Sequence, residues 1–152
     1  MNLSQLLQND SEEIITNAFR AMNRARLTHY EEAGSEPTKQ RLKALYDLTT
    51  LAVEEKNLGP MLHHAETIAE ERFTSGYDLS EVQTAFNVLE ESIWHNIIQH
   101  LQPAEYAEAF GLIGTVLGAG KDMLARSYVS LASKTKAPSL NLQSLFAGAA
   151  GT

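Results

Sequence analysis

Residues 78–97 read Asp78-Leu79-Ser80-Glu81-Val82-Gln83-Thr84-Ala85-Phe86-Asn87-Val88-Leu89-Glu90-Glu91-Ser92-Ile93-Trp94-His95-Asn96-Ile97, and their apolar members Val82, Ala85, Phe86, Leu89, Ile93 and Ile97 recur at spacings of three and four. That period matches an α-helix and places all six side chains on one face. Two N-terminal caps are available, Asp78 with Glu81 three residues on, or Ser80 with Gln83. No segment of the chain alternates convincingly with the two-residue period of a strand, so this stretch sets the pattern for an all-α chain.

The same reading extends outward in both directions. Met61, Ala65, Ile68, Ala69 and Phe73 stripe a helix from about Pro60 to Ser75, and Gly76 is placed to stop it in a left-handed conformation. Before it, Leu42, Leu45, Leu48, Leu51 and Ala52 stripe a helix with Pro37 in its first turn, ended by Asn57, Gly59 and Pro60. Asp10 followed by Glu13 is a capping-box pattern, and Ile14, Ile15, Ala18, Phe19 and Met22 continue it into a helix from about 11 to 32. A short helix fits Leu3 to Gln8. Towards the C-terminus, Pro103 starts the longest helix, carrying Tyr106, Phe110, Ile113, Leu117, Leu124, Tyr128 and Leu131 to about Lys134. The expectation is five major helices in one domain over 1–136. Residues 137–152, rich in Ala, Gly and Ser but including Leu140, Leu142, Leu145 and Phe146, form a flexible tail or a short docking helix that detaches at Pro138.

Composition bounds the function. At 152 residues, 43% hydrophobic and 20% charged, with 4 Pro and 9 Gly, the chain has the make-up of one folded domain and not of a disordered segment. Its net charge of -7 argues against nucleic acid as a partner, because phosphate binding needs clustered Lys and Arg. Between Glu54 and Glu108 only Lys56 and Arg72 interrupt a strongly acidic stretch, whereas no acid follows Asp122. The absence of cysteine removes thiol nucleophiles, disulfides, Cys-ligated zinc and iron–sulfur clusters. The first residues lack the basic start and apolar run of a signal peptide. The most apolar run, Phe110 to Gly120, is far shorter than the roughly 20 residues of a membrane-spanning helix. A cytoplasmic protein with no membrane and no nucleic-acid partner is the expectation.

Catalytic machinery finds no anchor. No Gly-x-Ser-x-Gly, phosphate-binding Gly-rich loop or dinucleotide-binding Gly-x-Gly-x-x-Gly occurs. The Glu-x-x-His spacing of di-iron bundles is also missing, and Glu91 with His95 supplies only two ligands on one helical face. No catalytic residue and no metal site are expected, and the chain reads as a non-enzyme. In the tandem His63-His64 at most one imidazole faces the core, and a globin-type haem needs only one such histidine. The expected cofactor is none, with haem as the alternative, held by His64 or His95.

The last helix is unusual for its glycines. Gly111, Gly114 and Gly118 fall with Ala107 near one face, although each interior Gly costs about 1 kcal/mol relative to Ala. Small residues four apart allow close approach of another backbone, so Gly114 and Gly118 mark a crossing point, within the monomer or between two subunits. Leu124, Tyr128 and Leu131 extend past what a compact bundle covers, which suggests a homodimer seam there.

The run Arg72-Phe73-Thr74-Ser75-Gly76-Tyr77-Asp78-Leu79-Ser80-Glu81-Val82, followed by Phe86, Leu89 and Ile93-Trp94, resembles the N-terminal helical domain of RsbR-type stressosome co-antagonists, the RsbRD N-terminal domain. The similarity covers about residues 10–135 in helix order and is best over 65–95. It implies a globin-like, orthogonal helical bundle that has generally lost haem, a dimer, and a sensory role in bacterial stress signalling. In that family the domain is joined to a C-terminal STAS domain or a kinase. Here only a 16-residue tail follows, which favours a free-standing sensor, an adaptor or an excised domain. Function is therefore expected to be a haem-free sensory and dimerisation module in signal transduction. The alternative is a haem- or tetrapyrrole-binding globin-like sensor or carrier. Arg72, Tyr77, Trp94 and His95 are the candidate ligand-pocket residues.

Overall fold

The turn between the two central helices sets the frame for the rest of the fold. In the computed structural model, which describes residues 1–136, helix α5 spans Gly59–Thr74 and helix α6 spans Leu79–His100. Gly76 adopts φ +86° and ends α5 as expected. The Gly76 N–H bonds back to the Phe73 carbonyl (3.1 Å) and the Tyr77 N–H to that of Arg72 (2.9 Å), which satisfies carbonyls the helix end would orphan. Of the two possible caps for α6, Asp78 is the one used: its backbone N–H donates to the Glu81 carboxylate at 3.0 Å.

Five further helices complete the described residues: α1 (Leu3–Asn9), α2 (Ser11–Ala25), α3 (Thr28–Ala33), α4 (Ser35–Glu55) and α7 (Tyr106–Lys136), the last preceded by a short 3-10 turn at Pro103–Glu105. The five long helices are those expected, but the helix read over 11–32 is broken. Arg26 takes a left-handed conformation (φ 51°) and splits it into α2 and α3. The periodic run of apolar residues stops at Met22, so beyond it no apolar stripe held the chain in one rod. The capping box expected from Asp10 and Glu13 does not form either. Both carboxylates instead accept from the Asn96 side-chain amide of α6, at 3.1 and 3.4 Å. A capping box does form at Asn2 and Gln5.

The fold is an all-helical bundle with a long C-terminal helix. Helix α7 packs chiefly along α5 and α6, α2 packs on α6 and α4, and α1 closes one end against α4. The predicted stripes form the core: Leu42, Met61, Phe86, Leu89, Ile93, Ile97, Ile113 and Leu117 are all buried. Each such side chain stabilises by about 1.5–3 kcal/mol relative to exposure. Buried side-chain hydrogen bonds tie distant parts of the chain together: Tyr46 Oη donates to the Leu7 carbonyl (2.6 Å), and Ser92 Oγ to that of Ile14 (2.7 Å).

The small residues of α7 act otherwise than the sequence suggested. A Cβ added at Gly111, Gly114 or Gly118 meets nothing within 4 Å, so none of them is a crossing point inside the monomer. The close crossing is at Gly120, where a Cβ would lie 2.8 Å from the Phe86 ring of α6 and 3.0 Å from Met61 Sδ of α5. The dimer seam expected from Leu124 and Tyr128 is corrected as well. Both are buried in the chain's own core, Leu124 fully, and Tyr128 donates from Oη to the Tyr77 carbonyl (3.0 Å). Leu131 is half-buried. The α5–α6 turn rises far enough along α7 to cover what the length argument left bare. The tail, 137–152, lies outside the described residues.

Candidate functional site: a cationic cleft between α4, α5 and α6

Three helices present matching faces to one space. On α5, His64, Ile68 and Arg72 follow at intervals of four, so they stand in a line along one face. On α4, Thr38, Arg41, Leu42 and Leu45 share a face by the same rule, and on α6 Val82, Ala85 and Phe86 do so. These faces, with Met22 of α2 and Tyr30 of α3, enclose a cleft of about 390 Å³. That lies within the roughly 300–1,000 Å³ usual for small-molecule sites. Its floor is apolar, from Met22, Leu42, Val82 and Phe86, all buried. Its polar side holds Tyr30, Arg41, His64, Glu71 and Arg72. A second depression beside Tyr77 shares Arg41, Glu71 and Arg72, so the two guanidinium groups stand in the wall between them.

Arg72 is the anomaly of the molecule. It is 7% exposed, and its ion-pair partner among the described residues is the exposed Glu71 carboxylate at 3.7 Å, too long for a good hydrogen bond, with the Tyr30 phenol as a further polar neighbour. Its guanidinium lies over the Tyr77 ring at 5.7 Å, a cation–π contact that offsets part of the desolvation. Nε bonds to no group among the described residues, a condition shared, among their buried side-chain polar atoms, only by Thr50 Oγ1. Burying an ionised group without a full set of partners costs several kcal/mol, so such an atom calls for an explanation.

The surroundings order this cation pair. Arg41 donates to Tyr77 Oη at 2.8 Å and stacks over Tyr30 and Tyr77 at 5.7 and 5.6 Å. His29 stacks on Tyr77 (4.9 Å), and its Nδ1 meets Glu81 at 2.6 Å. Burial alone raises the Glu81 carboxyl. The backbone N–H groups of Asp78 and His29 and the His29 ring outweigh it and hold the group below the usual carboxylate range. Burial pushes the Tyr30 phenol up against the opposing pull of Arg72 and Arg41. Tyr128 is pushed up to about 12, mainly by burial. His64 is lowered by burial first and by Arg72 second, which keeps it neutral at pH 7.

Of the residues singled out in the sequence, the structure brings Arg72, Tyr77 and His64 together here. Trp94 and His95 lie elsewhere: they are on α6, about 22 Å along its axis from its first residue, Leu79, at about 1.5 Å per residue. Both are exposed, and neither lines the cleft. Trp94 packs edge-on against Phe110 (6.0 Å), and His95 borders a shallow polar groove against α2. Arg41 and Tyr30 were not singled out. Arg41 flanks the α4 stripe, and a cation at the margin of an apolar face was the one available signal. Also unforeseen is the trio Asp10, Glu13 and His100, whose ligand atoms lie within 4.8 Å of one another. Asn96 already bonds both carboxylates, which gives the trio a structural role tying α2 to α6.

The fold and the cleft define a class: an all-helical bundle with a ligand-sized, positively charged recess, and no helix among the described residues long and apolar enough to cross a membrane. Comparison with protein-family models, curated proteins and solved structures finds no match for the chain.

Proposed function

We propose that this protein is a haem-free sensory and protein-interaction module of cytoplasmic signal transduction, in keeping with its resemblance to RsbR-type N-terminal domains, that reads a small molecule bound between α4, α5 and α6. The observation that carries this reading is the buried, charged Arg72 whose Nε has no partner beside a 390 Å³ cleft. Binding there has a mechanical route outward: the Arg72–Tyr77–Tyr128 chain of contacts joins the cleft to the long helix α7. A thermal-shift screen of small molecules tests the cleft. Hits are expected, and Ala44→Trp, a bulky ring at an exposed rim position, should abolish them. Absence of hits, or hits indifferent to Ala44→Trp, overturns the reading.

Self-association belongs to the same proposal. The surface that supports it is Trp94, Ile98 and Phe110 with Gly114 and Gly118 continuing the Phe110 line at intervals of four on α7. The purified protein is expected to be colourless and to elute as a dimer. Monomeric elution at micromolar concentration would count against dimerisation.

A second reading, a haem- or tetrapyrrole-binding globin-like sensor or carrier, is favoured by one observation: His64, neutral and half-buried, lines the cleft. A bound haem would take its axial ligand from His64, whereas His95 is too far away to share it. A Soret band on adding haem, lost in His64→Ala, supports this reading. A featureless spectrum removes it.

A further inference from the structure

The charges around the cleft specify more than its existence. Arg41 and Arg72 contribute two positive charges, the exposed Glu71 returns one negative, and His64 is neutral. One positive charge is left over, next to a floor made of Met22, Leu42, Val82 and Phe86. A planar guanidinium with a free N–H edge matches a carboxylate or phosphate through two parallel hydrogen bonds, an arrangement an ammonium cannot reproduce. Arg72 lines the cleft, and its buried Nε has no partner among the described residues. An anion there completes the hydrogen bonding of a cation that Glu71, 63% exposed and 3.7 Å away, completes poorly. The apolar floor in turn needs a ligand with a hydrocarbon body, since a bare inorganic anion leaves it uncovered.

We infer that the α4–α5–α6 cleft binds a small organic anion, one carboxylate or phosphate group on an apolar body, with the head group on Arg72 and Arg41 and the body on the floor. This deepens the sensory reading and rests on the cleft being the ligand site. The anionic head is common to short-chain carboxylic acids and to alkyl phosphates.

The experiment titrates the full chain by calorimetry with octanoate, octyl phosphate, octan-1-ol and octylamine. Octanoate or octyl phosphate is expected to bind, at least tenfold tighter than the alcohol or the amine, and whichever anion is tighter identifies the head group. Arg41→Gln and Arg72→Gln should each weaken the anion more than tenfold. Arg72 also packs on Tyr77, so Arg72→Gln is checked for folding by circular dichroism, and the half-buried Arg41 supplies the independent variant. Glu71→Gln should tighten the anion severalfold by removing its competitor, a gain that a merely structural role for Arg72 does not produce. Equal binding of octanoate and octan-1-ol, blocked by Ala44→Trp, overturns the anion proposal and leaves the cleft reading intact. Failure of every octyl probe overturns the proposal, and the cleft reading then stands or falls by its own screen. Anion binding unchanged in Arg41→Gln and Glu71→Gln places the anion elsewhere and overturns the proposal too.

Discussion

Glycines that look alike in the sequence have opposite duties. Gly114 and Gly118 have open space where a Cβ would go, whereas at Gly120 the Cβ would press on the Phe86 ring and Met61. Gly114→Ala or Gly118→Ala should therefore recover most of the helix-propensity cost, about 0.8–1 kcal/mol. That raises the melting temperature by roughly 2–4 °C for a chain of this size. Gly120→Ala gains the same propensity but overpacks a rigid ring, at a cost of about 1–3 kcal/mol, and the net expected result is a lower melting temperature. Calorimetry of the three variants decides it. A rise at Gly120 would mean that α7 can shift away from Phe86 at little cost. Nothing in the order Gly111, Gly114, Gly118, Gly120 reveals which one meets a neighbour, because that depends on where α5 and α6 cross α7.

Within elements, the start of α6 carries the clearest electrostatic consequence. Glu81 accepts from the N–H groups of Asp78 and His29 and from the His29 ring, so it ties the cap of α6 to the start of α3. Its folded-state pKa lies below the unfolded value of 4.5. The ionised form thus stabilises the fold above that value, and the contribution is lost as pH falls through the lowered folded-state pKa. Glu81→Gln should cost about 1.5–3 kcal/mol at pH 7, the range for hydrogen bonds to a charged group. The gap to the unmodified protein should begin to close as pH falls below 4.5 and vanish once it is below the lowered folded-state pKa. Denaturant unfolding at pH 7 and at low pH measures it, and a gap independent of pH would show that the charge contributes nothing. The capping pair Asp78–Glu81 was legible in the sequence. The partner His29 was not, being 52 positions away and placed by the break at Arg26.

For the whole molecule, the exposed aromatic corner is the testable feature. Trp94, the chain's single tryptophan, is 38% exposed beside Phe110, and Ile98, four residues further along α6, is 54% exposed. If copies associate through this surface, Trp94 emission should shift to the blue as concentration rises, and Trp94→Ser should shift elution towards the monomer. Emission independent of concentration, with a dimer that persists in Trp94→Ser, would assign association to another surface. The acidic stretch between Glu54 and Glu108 makes the isolation of Arg72 more pointed. Arg72 is one of two cations there, and the fold turns it inward beside Arg41 of α4.

What the sequence alone determined is the local part of this protein: five long amphipathic helices, the stop at Gly76 and the start at Asp78. Each follows from apolar spacing or cap chemistry over a few residues, and such signals are carried by neighbours in the chain. Tertiary structure alone decided that Gly120 and not Gly114 is the crossing, that Leu124 and Tyr128 face inward, and that Trp94 faces out. It also decided that Arg72, Arg41 and His64 meet in one cleft. Those outcomes depend on the rotation and crossing of helices about one another, and a periodic stripe fixes which face is buried without fixing what it will be buried against.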